Sequence, residues 1–143
     1  MSARPASRIR ITATLPCRTL REGKWWIAQC DLLDIASQGT ARHVAERNLR
    51  QAILLFLEGC LRSGSADRVL AQSGFTALWL DGRHYWVAAE GGQAGQGRRS
   101  LRFTGYVTAA FPRPSAAPER LVRVPSIPPW MIRADAHGQA HSR

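Results

Sequence analysis

Lysine is almost missing from this chain: Lys24 alone stands against nineteen arginines. Acidic residues number only ten, so the formal net charge is +10. Cysteine is scarce as well. Cys17, Cys30 and Cys60 are odd in number, show no paired spacing and include no CxxC, which excludes a disulfide framework or a zinc ribbon. A reduced, cytoplasmic setting is the expectation that follows. Long hydrophobic runs are also lacking. Residues 52–57 form the longest, far short of the roughly 20 residues that span a bilayer. Residues 1–17 contain no unbroken apolar stretch, so neither a signal peptide nor a membrane partner is expected. The glycine run at 91–97 is not followed by Lys-Ser or Lys-Thr, which makes it a linker and not a phosphate loop.

Carboxylates are thin where metal-dependent nuclease chemistry would need them. The first strand expected from the pattern, residues 8–15, carries none. Asp31 and Asp34 fall in a connection, and Glu46 and Glu58 are twelve apart on a helix. Two-metal hydrolysis needs clustered acids, so no catalytic residue, metal site or cofactor is assigned. His137 and His141 have an i, i+4 spacing but no third ligand, and read as solvated. His43 and His84 lie near no recognisable nucleophile motif, and the three cysteines read as small buried apolar groups.

The length suits one domain able to bury its own core. Charge is unevenly placed: residues 1–24 carry +5, residues 25–97 carry −1, and residues 98–143 carry +6. Basic flanks can attract nucleic acid or an acidic partner, although the excess of Arg over Lys also fits a GC-rich genome.

Along the chain, residues 1–7 read as a flexible leader. Arg8, Arg10, Thr12 and Thr14 alternate with Ile9, Ile11, Ala13 and Leu15, the period of a half-buried strand. Pro16 ends its regular pairing or marks a bulge or edge. A second strand over 25–30 should pair antiparallel with it, followed by a short third strand over 35–38. Trp25 and Trp26 then point to opposite faces. The outward ring is either a partner anchor or, the favoured reading, covered by Trp79, Trp86 or Trp130. Thr40 is the N-cap candidate of a helix of some 22 residues. Its apolar stripe is Ala45, Leu49, Ala52, Ile53, Phe56 and Cys60, with Glu46 off it and Gly64 as the stop. A helical turn at 66–72 follows. Two β-rich runs around Asp81-Gly82 predict a hairpin with a type I′ turn. The resulting division is a core over 8–74, a hairpin over 75–90, a linker over 91–97 and a basic extension over 98–132. Within that extension, strands are expected over 101–111 and 121–124. The last stretch, 133–143, reads as a disordered tail.

Residues 24–61 carry a resemblance. Trp25, Ala28 and Cys30 on a strand, then Ser37-Gln38-Gly39, then a helix with Asn48-Leu49, Ala52 and Phe56-Leu57-Glu58, together resemble the HicB-like antitoxin family. The resemblance covers about residues 8–62. It implies an α+β, partial RNase H-like fold: an antiparallel sheet of three to four strands, one long helix on one face, and here a β-rich basic C-terminal extension. It further implies a non-catalytic antitoxin that binds a small HicA-type mRNA-cleaving toxin and occludes its active site. The chain departs from the family at Val44 and Ala41, where Glu and Thr are usual, and shows no helix-turn-helix pattern. Docking is expected through Trp25, Ile27, Gln29, Asp31, Asp34, Ser37 and Gln38, with a homodimer or higher oligomer open. The alternative is a stand-alone nucleic-acid-binding protein using the basic flanks, with Arg98, Arg99, Arg102, Arg120 and Arg123 as contacts.

Overall fold

The structure, a computed structural model, describes residues 6–88, 98–112 and 130–136. The element order is β1 (Ser7–Glu22), β2 (Trp25–Cys30), β3 (Ile35–Gly39), α1 (Arg42–Ser63), α2 (Ala66–Gln72), β4 (Thr76–Leu80), β5 (Arg83–Ala88), β6 (Arg98–Ala109) and β7 (Trp130–Ala136). The fold is α+β, as expected, but the sheet has seven strands among the described residues and not three or four.

β1 is the spine. It spans 16 residues, about 50 Å at a rise of roughly 3.3 Å per residue. Along one side it pairs with β6 in an unbroken antiparallel register from Ser7↔Ala109 to Arg18↔Arg98. On the other side its N-terminal half pairs with β7 over residues 9–14, and its C-terminal part with β2 over 18–22. Two branches therefore leave that side, β7-β5-β4 and β2-β3.

Pro16 sits between the branches, and its place is dictated by hydrogen bonding. Both the amide and the carbonyl of Thr108 bond to α1 side chains, away from β1. Its partner Arg8 therefore directs its own N–H and C=O away from β6, and so does every second residue, since antiparallel pairs alternate. Pro16 shares that parity. Its backbone nitrogen points to the side away from β6, where residues 15–17 fall between β7 and β2 and meet no described strand, so the missing N–H costs no ladder bond. The strand does not end at Leu15 but runs on to Glu22, and of the readings its sequence allows Pro16 takes the edge position.

The odd-numbered residues of β1 build the core. Ile9, Ile11, Ala13, Leu15 and Cys17 are buried with Leu101, Phe103 and Val107 of β6, Ile132 and Ala134 of β7, Trp86 of β5, and Ala28 and Cys30 of β2. α1 lies over β6, β2 and β3 and seals this face with Leu49, Ile53, Leu57 and Leu61. Phe56 and Ala52 are only partly buried, so Leu57 and not Phe56 is the inward residue of that turn. Glu46 is buried as well, because Arg99 of β6 reaches it at 3.4 Å.

Close approach fixes the helix at two glycines. A Cβ on Gly39 would stand 2.7 Å from the Ala45 backbone nitrogen and 2.7 Å from Val44 Cγ1. One on Gly105 of β6 would stand 2.3 Å from Leu54 Cδ1. The N-cap residue is Ala41, with no side-chain capping bond, and not Thr40. Tertiary contacts hold this end instead: Asn48 Nδ2 donates to the Gln38 carbonyl at 2.9 Å. Gly64 ends α1 in the left-handed region at φ 71°, and the Ser65 amide closes back on the Cys60 carbonyl. Asp81 and Gly82 both have positive φ, as a type I′ hairpin requires.

Two expectations about the C-terminal half need correction. Residues 133–136 belong to β7, an interior strand between β1 and β5, and not to a disordered tail. The hairpin and the extension are parts of the same sheet as the core, because β5 and β6 pair directly with β7 and β1. The expected linker at 91–97 and the strand at 121–124 lie outside the described residues, as do His137 and His141. Among the described residues, no helix is long and apolar enough to cross a membrane.

Candidate binding surface

Both helices stand on one face of the sheet, and among the described residues no element covers the opposite face. Alternation places the even residues of β1 there: Arg8, Arg10, Thr12, Thr14 and Arg18. Register adds Arg102, Thr104 and Tyr106 from β6, Met131, Arg133 and Asp135 from β7, and Tyr85 from β5. One row across the strands reads Tyr106, Arg10, Asp135, and the next reads Thr104, Thr12, Arg133, Tyr85.

Asp135 is the electrostatic centre of this face. Its side chain is buried, with three guanidinium groups around it: Arg133 Nε at 3.0 Å, and Arg10 Nη2 and Arg83 Nε at 3.4 Å each. One carboxylate among three arginines leaves a local excess of two positive charges. Arg8 adds a fourth guanidinium, stacked 4.4 Å above the Tyr106 ring. Tyr106 is 44% exposed.

The other end of the face, on β2 and β3, differs. Trp25, Ile27, Gln29 and Gln38 share it. Trp25 is 37% exposed and touched by the Lys24 ammonium at 5.6 Å from the ring centre. Trp79, Trp86 and Trp130 do not cover it. Trp79 and Trp86 pack with His84, and all three lie on the helix side of the sheet. Asp31 lies in the β2–β3 connection, bound by Arg18 at 3.0 Å and by Gln29 at 2.8 Å. Asp34 holds that turn at φ 58°. Ser37 pairs with Ala28 and points toward the helix side, apart from the other expected docking residues. Among the expected nucleic-acid contacts, Arg102 is on the open face, Arg98 pairs in register with Arg18, and Arg99 is turned to the helix side against Glu46. Arg120 and Arg123 lie outside the described residues.

The sequence pattern did not single out Arg10, Arg83, Arg133 or Asp135 as a group. Arg8 and Arg10 show on the polar side of an alternating strand. The others come from strands whose order in the sheet is not written locally.

Two titratable groups on the helix side, His84 and Cys17, are buried. The His84 imidazole Nε2 lies 3.0 Å from Asp67 Oδ1, which also accepts from Trp86 Nε1 at 2.8 Å. Its Nδ1 is buried and has no hydrogen-bond partner among the described residues. Burial lowers the His84 pKa, against the opposing pull of Asp67. Burial, aided by Glu46 and Cys30, pushes the Cys17 thiol up to about 11 against the pull of Arg99 and Arg50. Among the described residues, no group of three or more His, Cys, Asp or Glu is placed to hold a metal ion.

Comparisons of the chain with protein-family models, with curated proteins and with solved structures returned no match.

Proposed function

We propose that this chain is a non-catalytic, HicB-like binding protein that neutralises a small HicA-type, mRNA-cleaving toxin by covering its active site. The observation that carries the reading is the β1–β2–β3–α1 unit. Three antiparallel strands are covered by one helix on one side, and on the other the β2–β3 end presents Trp25, Ile27, Gln29 and Gln38 to solvent. The residues of the resemblance build that unit: Ala28 and Cys30 are buried under α1, Gly39 admits the helix, and Asn48 bonds to the Gln38 carbonyl. Several carboxylates are engaged by neighbours: Glu46 by Arg99, Glu58 by the Thr108 amide, Asp67 by His84 and Trp86, and Asp135 by arginines. That supports a binding role over hydrolysis. An exposed Trp on a rigid strand is the kind of residue that anchors a protein interface.

The test is co-expression with any small reading frame adjacent to the gene. A toxin-like product should arrest growth alone, be neutralised by this chain and co-purify with it. Trp25→Ala should weaken that complex by about 2 kcal/mol or more, roughly thirtyfold. Absence of a complex, or arrest that this chain does not relieve, defeats the reading.

A further inference from the structure

We infer that the open face of the sheet around Asp135, at the end away from the β2–β3 hairpin, is a binding platform for single-stranded nucleic acid. The inference does not rest on the antitoxin reading. The two regions lie about 40 Å apart along β1, taking twelve residues from Arg10 to Glu22 at a strand rise of roughly 3.3 Å.

Three features of the platform fit together. The first is charge: Arg8, Arg10, Arg83, Arg102 and Arg133 come from four strands to one face, with Asp135 as the acid among them. The shared carboxylate holds three guanidinium groups in place without neutralising them, which suits phosphates arriving from solvent. Guanidinium groups also match phosphate geometry better than ammonium groups do. The second is stacking: Tyr106 and Tyr85 present rings on the same face, on β6 and β5, with Arg10 and Arg133 on the two strands between. The strands between them put the rings roughly 15 Å apart at about 4.8 Å per strand. A chain with unpaired bases can stack on Tyr85 and on the Arg8–Tyr106 pair while its backbone crosses the arginines. The third is shape. An open sheet face enters neither groove of a duplex, and a duplex hides the base faces that the tyrosines would take up.

The test measures fluorescence anisotropy of labelled DNA and RNA homopolymers of about 12 nucleotides with the full chain across a salt series. Binding should weaken with salt at a slope near −0.7 per phosphate contacted. Arg8→Ala, Arg83→Ala and Arg102→Ala combined should lower affinity tenfold or more and flatten that slope by about 2. Tyr106→Ala should lower affinity about tenfold with the slope unchanged. Arg47→Ala, on the solvent side of α1, should change nothing, and circular dichroism confirms that each variant is folded. The inference is overturned if no oligonucleotide binds at low salt, or if the triple variant binds like wild type. It is equally overturned if a duplex binds as tightly as the single strand, or if polyglutamate competes as well as the oligonucleotide.

Discussion

Gly39→Ala tests how α1 is seated on the sheet. The added methyl would lie 2.7 Å from the Ala45 nitrogen and from Val44 Cγ1, and 2.9 Å from Val44 Cβ. These gaps are about 0.7 Å short of ordinary contact, which begins near 3.4 Å. Val44 is a side chain and can yield, but the Ala45 nitrogen belongs to the first turn of the helix and moves only with it. Overpacking of this kind costs about 1–3 kcal/mol. Removing a glycine's freedom from the unfolded chain returns about 0.5–1 kcal/mol, so at the middle of both ranges the net loss is about 1 kcal/mol. For a chain of this size that corresponds to a fall in Tm of roughly 2–4 °C, read by far-ultraviolet circular dichroism. A second variant separates the yielding contact from the rigid ones. Adding Val44→Ala to Gly39→Ala removes the Cγ1 clash and leaves the Ala45 nitrogen and the Cβ of residue 44, so recovery should be partial. A Gly39→Ala protein that melts with or above wild type refutes the close seating, and full recovery in the double variant refutes the backbone clash.

Gly59→Ala should act in the opposite sense, because the site is exposed, helical and free of neighbours within 4 Å. A gain of about 0.5–1 kcal/mol is expected from helix propensity, visible as a raised Tm. His84 makes stability depend on pH. Burial holds its folded pKa below the ordinary 6.5 of a histidine, so the unfolded chain binds the proton first. Its contribution is complete above pH 6.5 and is lost as pH falls below that toward the folded value. Urea midpoints should therefore drop between about pH 7.5 and about pH 5, and His84→Gln should reduce that drop. Glu58→Ala removes the acceptor for the Thr108 amide; hydrogen exchange at Thr108 should quicken, with a stability loss of about 0.5–1.5 kcal/mol. Cys17, with its thiol raised to about 11 and buried, should resist an aromatic disulfide reagent at neutral pH until the chain is unfolded in urea.

The local parts of this fold are legible in the sequence. The alternation of β1, the Asp81-Gly82 hairpin, the length of α1, its stop at Gly64 and the short α2 each rest on neighbours within a few residues. Long-range pairing is not legible in the same way. Residues 133–136 resemble a tail because Arg133, Ala134, Asp135 and Ala136 form a short, weakly apolar run. They become a strand only because β1 and β5 wait on either side. Glu46 reads as a surface residue until Arg99 arrives from β6 to pair with it. The arginine face is hidden for the same reason. Each of its members looks like an isolated polar position, and only the strand order gathers them.

The division of β1 between near and distant partners has a consequence for how the chain is made. Residues 18–22 meet β2 as soon as the next few residues leave the ribosome, whereas Ile9 pairs with Val107 and Ala136. Most of the longest strand must therefore persist, through most of synthesis, as an unpaired ribbon with one apolar side. Such a topology folds slowly because distant contacts reward the chain only after its loops close, and an exposed edge recruits other chains in the meantime. The arginines on the polar side of that ribbon, Arg8, Arg10 and Arg18, carry like charge from one nascent copy to the next, which opposes such pairing.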